Sequence, residues 1–556
     1  MPVDVQPPSR QLLKTMTTRF ALQRDDWNDY GFCTLYHLHY RHGGKSTDVT
    51  YIGGVKILKR GQKAGDRQSI REPFRSLGSR FVSVGTSLDY YQRLNDISSN
   101  RRASIMDALN DAVANPELID LFSDEEGWET SVFRDNREWR SFLADARILY
   151  EGNFGALPDI EQSFSYYPAR NDIPIVFDFS APEPADYVGP YRRLGPKRKR
   201  TLLPERMIVI VGQNGSGKST LLARLAHLAF ASPQERATKQ LKALGTLDPP
   251  SLGFMRVITI SYSAFDSFIV PGVGARDLTQ ITQDIENGDG RFVFCGLRDI
   301  VSEVRDDIDF AEQKAAFEDE EEGYILVERR TSTRLKPVEA LADEFAKLLA
   351  RIRHDEAVDL FNAALEPLLN DPSFADLQEQ VERLFGPAVA AKKIFLGWST
   401  GHKIALHVVA SLVANARPRS LILFDEPEAH LHPPLMAALM HSVRMVLTHV
   451  NAFCIVATHS PVLLQETLAR HVRHVRRVGR NLEVTEPSLE TFGENVGILT
   501  YSAFGLTASS TDFHKVLDLL VRGCSSVEEI DDLFTPGLSG QARAYVLSRL
   551  ALKGKE

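Results

Sequence analysis

Apolar and polar positions follow two different patterns along this 556-residue chain. Near its start, the stretch FCTLYHLHYR (Phe32–Arg41) alternates, and VTYIGGVKIL follows after a Gly-Gly pair. Alternation on both sides of a turn predicts two paired β-strands. Further on, three short runs are apolar almost throughout: Met207–Val211, Ser420–Phe424 and Phe453–Ala457. Because loop and helix signals follow each run, they predict buried strands of a parallel α/β sheet.

The long stretches between these strands have helical spacing. Residues 63–170 and 271–395 contain segments such as VEALADEFAKLLARIR, in which apolar residues recur every three or four positions. A further apolar run, KIALHVVASLVANA, begins directly after the short segment WSTGH. A hydroxyl at Ser399 or Thr400 would satisfy a free N–H of its first turn. We therefore predict an α/β fold with large helical insertions.

Composition and charge narrow the class of protein. With 43% hydrophobic and 25% charged residues, the chain has the make-up of a globular protein. Its net charge of -8 argues against a protein that coats nucleic acid over its whole surface. Neither a signal peptide nor a membrane-spanning apolar run is read, so we expect a cytoplasmic protein with no membrane contact. Four widely spaced cysteines predict neither a disulfide framework nor a zinc site: Cys33, Cys295, Cys454 and Cys524.

A glycine-rich segment, GQNGSGKST, lies between the strand Met207–Val211 and the amphipathic stretch TLLARLAHLAF. In this strand–loop–helix context it matches a phosphate-binding loop, the alternative being a chance glycine-rich turn. Glycines let backbone N–H groups point at phosphates, and the helix start adds partial positive charge. We predict that Lys218 binds the β- and γ-phosphates and Ser219 binds Mg²⁺. The candidate nucleotide ligands here are Gly212, Asn214, Gly215, Ser216, Gly217, Lys218, Ser219 and Thr220.

Acidic residues follow the second apolar run in the segment DEPEAHLHP, which starts at Asp425. A carboxylate at the carboxyl end of a buried strand lies where open α/β sheets bind ligands. Asp425 is therefore the candidate Mg²⁺ ligand and Glu426 the candidate general base, the alternative being that both form a turn. The His-x-His spacing of His430 and His432 is, on its own, weak support for a metal site.

The third apolar run ends in THSP, which places Pro461 in the first turn of a helix and Ser460 at its cap. His459 then lies at the carboxyl edge of the sheet, beside the same candidate site. A neutral imidazole there would hydrogen-bond the γ-phosphate. We therefore group His459 with Lys218 and Glu426 as catalytic candidates, the alternative being a loop histidine without a role.

In this order, the glycine-rich loop, WSTGH, DEPEAHLHP and THSP resemble the Walker A, signature, Walker B and switch-histidine motifs of ABC-type ATPase heads. SMC, RecF-like and OLD-type ATPases share this form of head. The resemblance implies a P-loop NTPase fold with a mixed β-sheet, flanking helices and a small helical C-terminal segment. It also implies ATP and Mg²⁺ as cofactors, ATP hydrolysis, and a head-to-tail homodimer or higher homo-oligomer. In that assembly Ser399 and Gly401 would face the γ-phosphate bound by a neighbouring subunit.

The chain departs from this family pattern in two places. WSTGH lacks the first glycine and the glutamine of the usual signature, and His402 stands where the glutamine would be. The loop Ser261–Phe268 lacks the glutamine of a Q-loop, so that role falls to Asp266 or a backbone group.

More specifically, the chain resembles the PtuA-type ATPases of Septu and retron-associated anti-phage systems. The stretches that carry this resemblance are FCTLYHLHYRHGGK, ISYSAFD, FVFCGLRD, STGHK, DEPEAHLHP and FGENV. It implies an ATPase that senses or gates a separate HNH-type nuclease subunit (PtuB-like). In a retron complex, a reverse transcriptase and its RNA/DNA product would be further partners. No Asp-x-Asp motif follows His459, so we expect no nuclease site in the chain itself.

The motifs divide the chain into six predicted parts. A β part of the head (1–62) precedes a mostly helical insertion and linker (63–200), the Walker A core (201–270) and a helical, acidic insertion (271–395). The signature, Walker B and switch-histidine core (396–487) and a helical C-terminal segment (488–556) follow.

The rival hypothesis is a RecF- or SMC-like ATPase that binds DNA directly in repair or chromosome maintenance. A transporter ATPase is disfavoured by the divergent signature and the helical insertions. Two basic stretches bear on nucleic-acid binding. Arg470–Arg480 is either a phosphate contact or an edge strand with outward charges. The other is either a solvated loop or a phosphate contact through Arg192, Arg193, Lys197, Arg198, Lys199 and Arg200.

Overall fold

A computed structural model describes most of the chain as two compact units. The first consists of Met1–Ile208 and Ser219–Ala457, and the second of Val209–Lys218 and Thr458–Glu556. The described residues are 2–7, 18–25, 28–41, 49–67, 69–70, 72–95, 97–134, 139–151, 163–169, 173–180, 203–231, 233–236, 238–250, 252–266, 268–272, 275–288, 290–308, 333–374, 377–479, 481–504 and 512–553.

Strands and helices alternate along the chain. The strands are Val3–Gln6, Phe20–Arg24, Leu35–Arg41, Val49–Lys59, Phe81–Gly85, Ser163–Tyr167, Ile175–Asp178, Met207–Val211, Thr246–Asp248, Val257–Ser261, Phe292–Gly296, Leu421–Asp425, Phe453–Thr458, Val472–Val478 and Asn481–Thr485. The α-helices include Leu88–Asn95, Ser99–Leu109, Glu117–Phe122, Trp139–Glu151, Lys218–Phe230, Pro233–Arg236, Lys239–Lys242, Ala275–Asn287, Val338–His354, Val358–Leu369, Gln378–Glu382, Ala388–Gly397, Thr400–Asn415, Pro433–Val450, Pro461–Gln465, Val496–Phe504, Asp512–Gly523, Val527–Asp531 and Gly540–Lys553.

The first five strands form one sheet in chain order. The first two run parallel and the later neighbours antiparallel. Leu35–Arg41 pairs with Val49–Lys59, which confirms the predicted pair of β-strands. Buried residues alternate with half-buried ones along Leu35–Arg41, because side chains of a strand point to opposite faces. The buried cluster of this region includes Trp128 and Trp139, whose rings lie 5.7 Å apart.

Residues 63–170 contain strands as well as the predicted helices. Phe81–Gly85 completes the five-stranded sheet, and four of its five residues are buried. Ser163–Tyr167 pairs with Ile175–Asp178 and with Thr246–Asp248 in a separate three-stranded sheet. Each of these two strands is five residues long, and one partner of Ser163–Tyr167, the strand Thr246–Asp248, is distant in sequence. Because the surrounding residues have helical spacing, the sequence pattern did not indicate these strands.

Four strands run parallel in the order Phe292–Gly296, Val257–Ser261, Leu421–Asp425, Phe453–Thr458. The last three are buried at every position, as expected of parallel strands that are covered on both faces. This arrangement confirms the predicted α/β class. The helix Thr400–Asn415 is buried continuously from its fifth residue to its end, which explains its unbroken apolar sequence.

In the second unit, Val472–Val478 pairs in parallel with Val209–Val211 and antiparallel with Asn481–Thr485. Because it has partners on both sides, the interpretation of this basic stretch as an edge strand is wrong. Its Arg473 is buried and forms an ion pair with Glu486 at 3.2 Å. The last three helices of the unit share a small apolar core of Leu517, Val521, Val527, Ile530 and Val546.

A carboxyl group is buried beside the edge strand Phe81–Gly85 of the five-stranded sheet. Asp111 accepts hydrogen bonds from the Val113 N–H at 2.9 Å and from the hydroxyls of Ser83 and Tyr91, each at 3.2 Å. Burial raises the pKa of Asp111 to about 7 despite these donors. The folded chain therefore holds a proton on Asp111 in a pH range where the unfolded chain has lost it.

This site predicts a pH-dependent stability that Asp111→Asn removes. Stability should fall as pH rises from about 4 through about 7, because the folded state binds the extra proton in that range. Between pH 4 and pH 8, wild type should lose about 4 kcal/mol of unfolding free energy that the variant keeps. The Tm of both proteins, recorded across this pH range, checks this. The exposed Asp120→Asn is the control. Parallel Tm profiles for Asp111→Asn and wild type would contradict the assignment.

Candidate functional site

The glycine-rich loop precedes the helix Lys218–Phe230, as the sequence predicts. Gly215 and Gly217 have φ of +78° and +99°, a region in which residues with a Cβ are strained. A Cβ on Gly212 would lie 2.1 Å from the carbonyl oxygen of Val475. Glycine is therefore required at these three positions for steric reasons alone.

Lys218 is buried, and its ammonium group has three acceptors in the second unit. Nζ donates to the carbonyl oxygens of Gly212 at 3.0 Å and Gln213 at 3.4 Å. It also lies 2.7 Å from Nε2 of His459. Burial, and then the charge of Lys218, lower the pKa of His459 to about 4. His459 is therefore neutral near pH 7 and accepts a hydrogen bond from Lys218.

Ser219 and Asp425 meet in the first unit. Asp425 ends the strand Leu421–Asp425, is 2% exposed, and accepts a hydrogen bond from Ser219 Oγ at 3.2 Å. Parallel neighbours on both sides of that strand fix its backbone. A hydroxyl and a carboxylate are oxygen ligands of the kind that Mg²⁺ takes. The pair thus has the chemistry that the sequence predicts for a metal site.

Glu426 follows Asp425 in an unusual backbone conformation. Its φ is +49°, in the left-handed region that residues with a side chain rarely adopt, and its side chain is half-buried. The Glu426 N–H donates to the carbonyl oxygen of Ala457 at 2.8 Å, which ties it to the neighbouring strand. Strain of this kind costs about 1 kcal/mol or more and persists where the surroundings enforce it.

Asp266, a candidate for the Q-loop role, is buried in an ion pair instead. Its Oδ1 accepts from Arg298 Nη1, and Arg298 also pairs with Glu303 at 2.5 Å. The contacts join the loop after Val257–Ser261 to the segment that follows the strand Phe292–Gly296. They give Asp266 a structural role, and the assignment of the Q-loop role to Asp266 or to a backbone group stays a prediction.

Ser399 caps the helix Thr400–Asn415, since its Oγ accepts a hydrogen bond from the His402 N–H at 3.4 Å. Of the two predicted caps, Ser399 is confirmed. Gly401 lies against backbone, because a Cβ there would be 3.3 Å from the carbonyl oxygen of His430. The start of this helix therefore packs closely on the segment after Asp425.

The His402 side chain contacts residues that the sequence did not single out. Its Nε2 lies 3.2 Å from Ser373 Oγ, and its ring is 4.5 Å from the ring of Phe374. Burial is the main cause that lowers the pKa of His402. These neighbours are far away in sequence, so no local signal identified them. They hold the side chain against the short segment that contains Ser373 and Phe374.

The two histidines after Asp425 show no metal-site geometry. His432 caps the helix Pro433–Val450, with Nδ1 accepting from the Leu435 N–H at 3.3 Å. Among the described residues, no three His, Cys, Asp or Glu side chains are grouped to hold a metal ion. Pro461 begins its helix as predicted, and Ser460 occupies the cap position without a capping side-chain bond. The basic residues 192–200 lie outside the described residues.

The phosphate loop fits a nucleoside triphosphate. Ser216 Oγ is buried and has no hydrogen-bond partner in the described structure, as expected of a group that serves a ligand. A Cβ on Gly215 would meet nothing within 4 Å, so this part of the loop faces open space. Lys218 supplies a cation, and Ser219 with Asp425 supplies oxygen ligands for Mg²⁺.

Residues 207–465 match the protein family described as "AAA domain, putative AbiEii toxin, Type IV TA system". This range includes all the motifs from the phosphate loop to His459. This match, together with the parallel strands of the structure, supports a P-loop domain of the AAA type over residues 207–465. The P-loop fold predicted for the chain is thereby confirmed.

The chain is also similar to a viral protein along nearly its whole length. It is 28% identical over 540 residues to Protein ea59 of Escherichia phage lambda, and the alignment covers 95% of each chain. The similarity thus extends beyond the ATPase domain into the N-terminal and C-terminal parts. As to membranes, no helix in the described ranges combines the length and apolar character that a bilayer crossing needs.

The close approach at Gly212 predicts the effect of one added methyl group. Gly212→Ala would place Cβ against the carbonyl oxygen of Val475, so the loop must shift. We expect the affinity for a fluorescent ATP analogue to fall at least about tenfold, or about 1.4 kcal/mol. Gly253→Ala, where a Cβ meets nothing within 4 Å, should bind like wild type. Unchanged binding by Gly212→Ala would show that the loop is placed differently.

Proposed function

We propose that the chain binds ATP with Mg²⁺ and hydrolyses it. The observation that carries this proposal is the pair of contacts made by consecutive residues of the phosphate loop, Lys218 to His459 and Ser219 to Asp425. In the proposed reaction Lys218 binds the β- and γ-phosphates, while Ser219 and Asp425 hold Mg²⁺. When bound, Mg²⁺ neutralises charge on the phosphates.

The remaining candidates would act on the attacking water and the γ-phosphate. Glu426 is a half-buried carboxylate fixed at a strained turn next to Asp425, which suits a general base held in one position. His459, neutral near pH 7, would hydrogen-bond the γ-phosphate once Lys218 turns to the phosphates. Neutrality matters, because the imidazole can then either donate or accept through its ring nitrogens.

We further propose that two chains bind ATP head to tail. Ser399 supports this, because its hydroxyl and the first N–H groups of the helix Thr400–Asn415 form an exposed donor-rich end. Gly401 permits close packing at the same end, and a larger residue there would press on the backbone of His430. In the proposed dimer these groups face the γ-phosphate held by the neighbouring chain, so that ATP stabilises the pair.

For the biological role, we propose that this ATPase gates an HNH-type nuclease partner in anti-phage defence, as a PtuA-like protein. Two findings support a role in conflict between bacteria and phages. The matched family is described as a putative toxin of a type IV toxin–antitoxin system, and the full-length relative belongs to phage lambda. The nuclease partner is inferred from the resemblance to PtuA-type ATPases of the stretches outside the ATPase motifs.

The partner hypothesis predicts which protein co-purifies with the chain from its native host. We expect a small nuclease subunit in stoichiometric amount, retained at a salt concentration that strips non-specifically bound DNA. Mass spectrometry of the purified complex would identify it. Recovery of salt-sensitive DNA without a protein partner would instead support the RecF- or SMC-like alternative.

Substitution of Glu426 tests the proposed reaction and the dimer together. Glu426→Gln keeps the size of the side chain but cannot accept a proton, so phosphate release should fall about 100-fold or more. ATP binding should persist, and sedimentation should show an ATP-dependent dimer that wild type forms only transiently. Glu428→Gln, two residues further on, is the matched control and should hydrolyse ATP normally.

A second substitution separates the dimer from the chemistry. Gly401→Asp in the Glu426→Gln background adds bulk and negative charge where a neighbour's γ-phosphate is proposed to lie, so the trapped dimer should dissociate. Normal hydrolysis by Glu426→Gln would show that another group is the base. A stable dimer in the double variant would show that Gly401 does not face the neighbouring nucleotide.

A further inference from the structure

The stretch FGENV (Phe492–Val496) opens a nine-residue helix, Val496–Phe504, whose two ends are tied to the candidate ATP site. At its start, Gln465 Nε2 donates to the carbonyl oxygen of Glu494, and the Gly493 N–H donates to the carbonyl oxygen of Gln465, both at 2.8 Å. Gln465 ends the short helix that begins two residues after His459. The start of the nine-residue helix is therefore joined to the switch-histidine segment.

The other end of the helix contacts the phosphate loop. Gln213 Nε2 donates to the Phe504 carbonyl oxygen at 3.3 Å. Carbonyl groups in the last turn of a helix have no partner within the helix, so the Gln213 amide satisfies one of them. The Phe504 ring also lies beside the His459 ring, with centroids 6.3 Å apart. All these contacts lie within the second unit.

The helix is anchored by one face and exposed on the other. Leu499 is fully buried, whereas Ile498 and Tyr501 are 48% and 62% exposed. Its own apolar packing is therefore limited, and the hydrogen bonds at its two ends add to what holds it in place. A change at either end is expected to alter its position or its local stability.

Lys218 provides a physical reason for such a change. An ammonium group has three N–H donors, and those of Lys218 have three acceptors in Gly212, Gln213 and His459. To bind a phosphate, Lys218 must release at least one of them. Two of the three, Gln213 and His459, are the residues that contact Phe504.

We propose that Gln213 and Phe504 are positioning residues that couple nucleotide binding at Lys218 to the helix Val496–Phe504. This inference rests on the proposed ATP binding and adds its regulation. The coupling is reciprocal, so a change in the helix alters nucleotide affinity by the same factor as nucleotide alters the helix. The helix thereby reports the state of the site on its exposed face, through Ile498 and Tyr501.

Hydrogen exchange of the full-length chain, with and without a slowly hydrolysed ATP analogue and Mg²⁺, tests this coupling. In wild type, amide exchange in residues 497–504 should change about fivefold or more on nucleotide binding, the lower end of typical coupling. Gln213→Leu keeps the side-chain size but removes the donor, and Phe504→Ala removes the ring but keeps the carbonyl. Each should reduce the response to less than about twofold and shift nucleotide affinity in a parallel titration.

Tyr501→Phe is the matched control on the same helix, and it should respond like wild type. Failure of wild type to bind the analogue overturns both the proposed function and this inference. Binding without a change in residues 497–504 overturns the inference alone. A wild-type response in both Gln213→Leu and Phe504→Ala shows that nucleotide reaches the helix by another route, which overturns the roles of these two residues.

Discussion

The hydrogen bonding of Lys218 is the interaction on which the candidate site depends. A buried ammonium group is costly unless its donors are satisfied, and here Gly212, Gln213 and His459 accept all three. The backbone of Gly212 also lies directly against Val475, where no side chain fits. The glycine-rich loop, the buried lysine and the neutral His459 thus depend on one another.

The contact of Ser219 with Asp425 is the second constraint on the candidate site. Ser219 follows Lys218 in the chain and contacts Asp425, which ends a strand buried at every position. Along such strands the side chains are apolar, and polar groups appear where the strand ends. Asp425, Glu426 and His459 all occupy such positions, and the strained turn at Glu426 is enforced by its hydrogen bond to Ala457.

The sequence predicted those features whose cause is local. The phosphate loop follows from glycine spacing, the three apolar strands from continuous apolar runs, and the Ser399 cap from a hydroxyl before an apolar helix. The contacts of Asp266 with Arg298, of His402 with Ser373 and of Gln213 with Phe504 join residues distant in sequence. No periodicity encodes such pairs, because tertiary packing alone brings them together.

The same distinction explains why the edge-strand interpretation of one basic stretch is wrong. One interpretation of Arg470–Arg480 was an edge strand with charged outward positions, yet Val472–Val478 has partners on both sides. Within it, the buried Arg473 forms an ion pair with the exposed Glu486, a contact that the sequence pattern does not show. The ion pair of Asp266, a candidate for the Q-loop role, with the buried Arg298 is another contact that the sequence pattern does not show.

The most direct test of this account is an experimental structure of the full-length chain with a slowly hydrolysed ATP analogue and Mg²⁺. The account predicts that the triphosphate lies on the phosphate loop, with Lys218 Nζ moved from His459 Nε2 to the phosphates and Mg²⁺ bound by Ser219 and Asp425. A nucleotide bound elsewhere, or a Lys218–His459 contact that remains at 2.7 Å with nucleotide present, would contradict it.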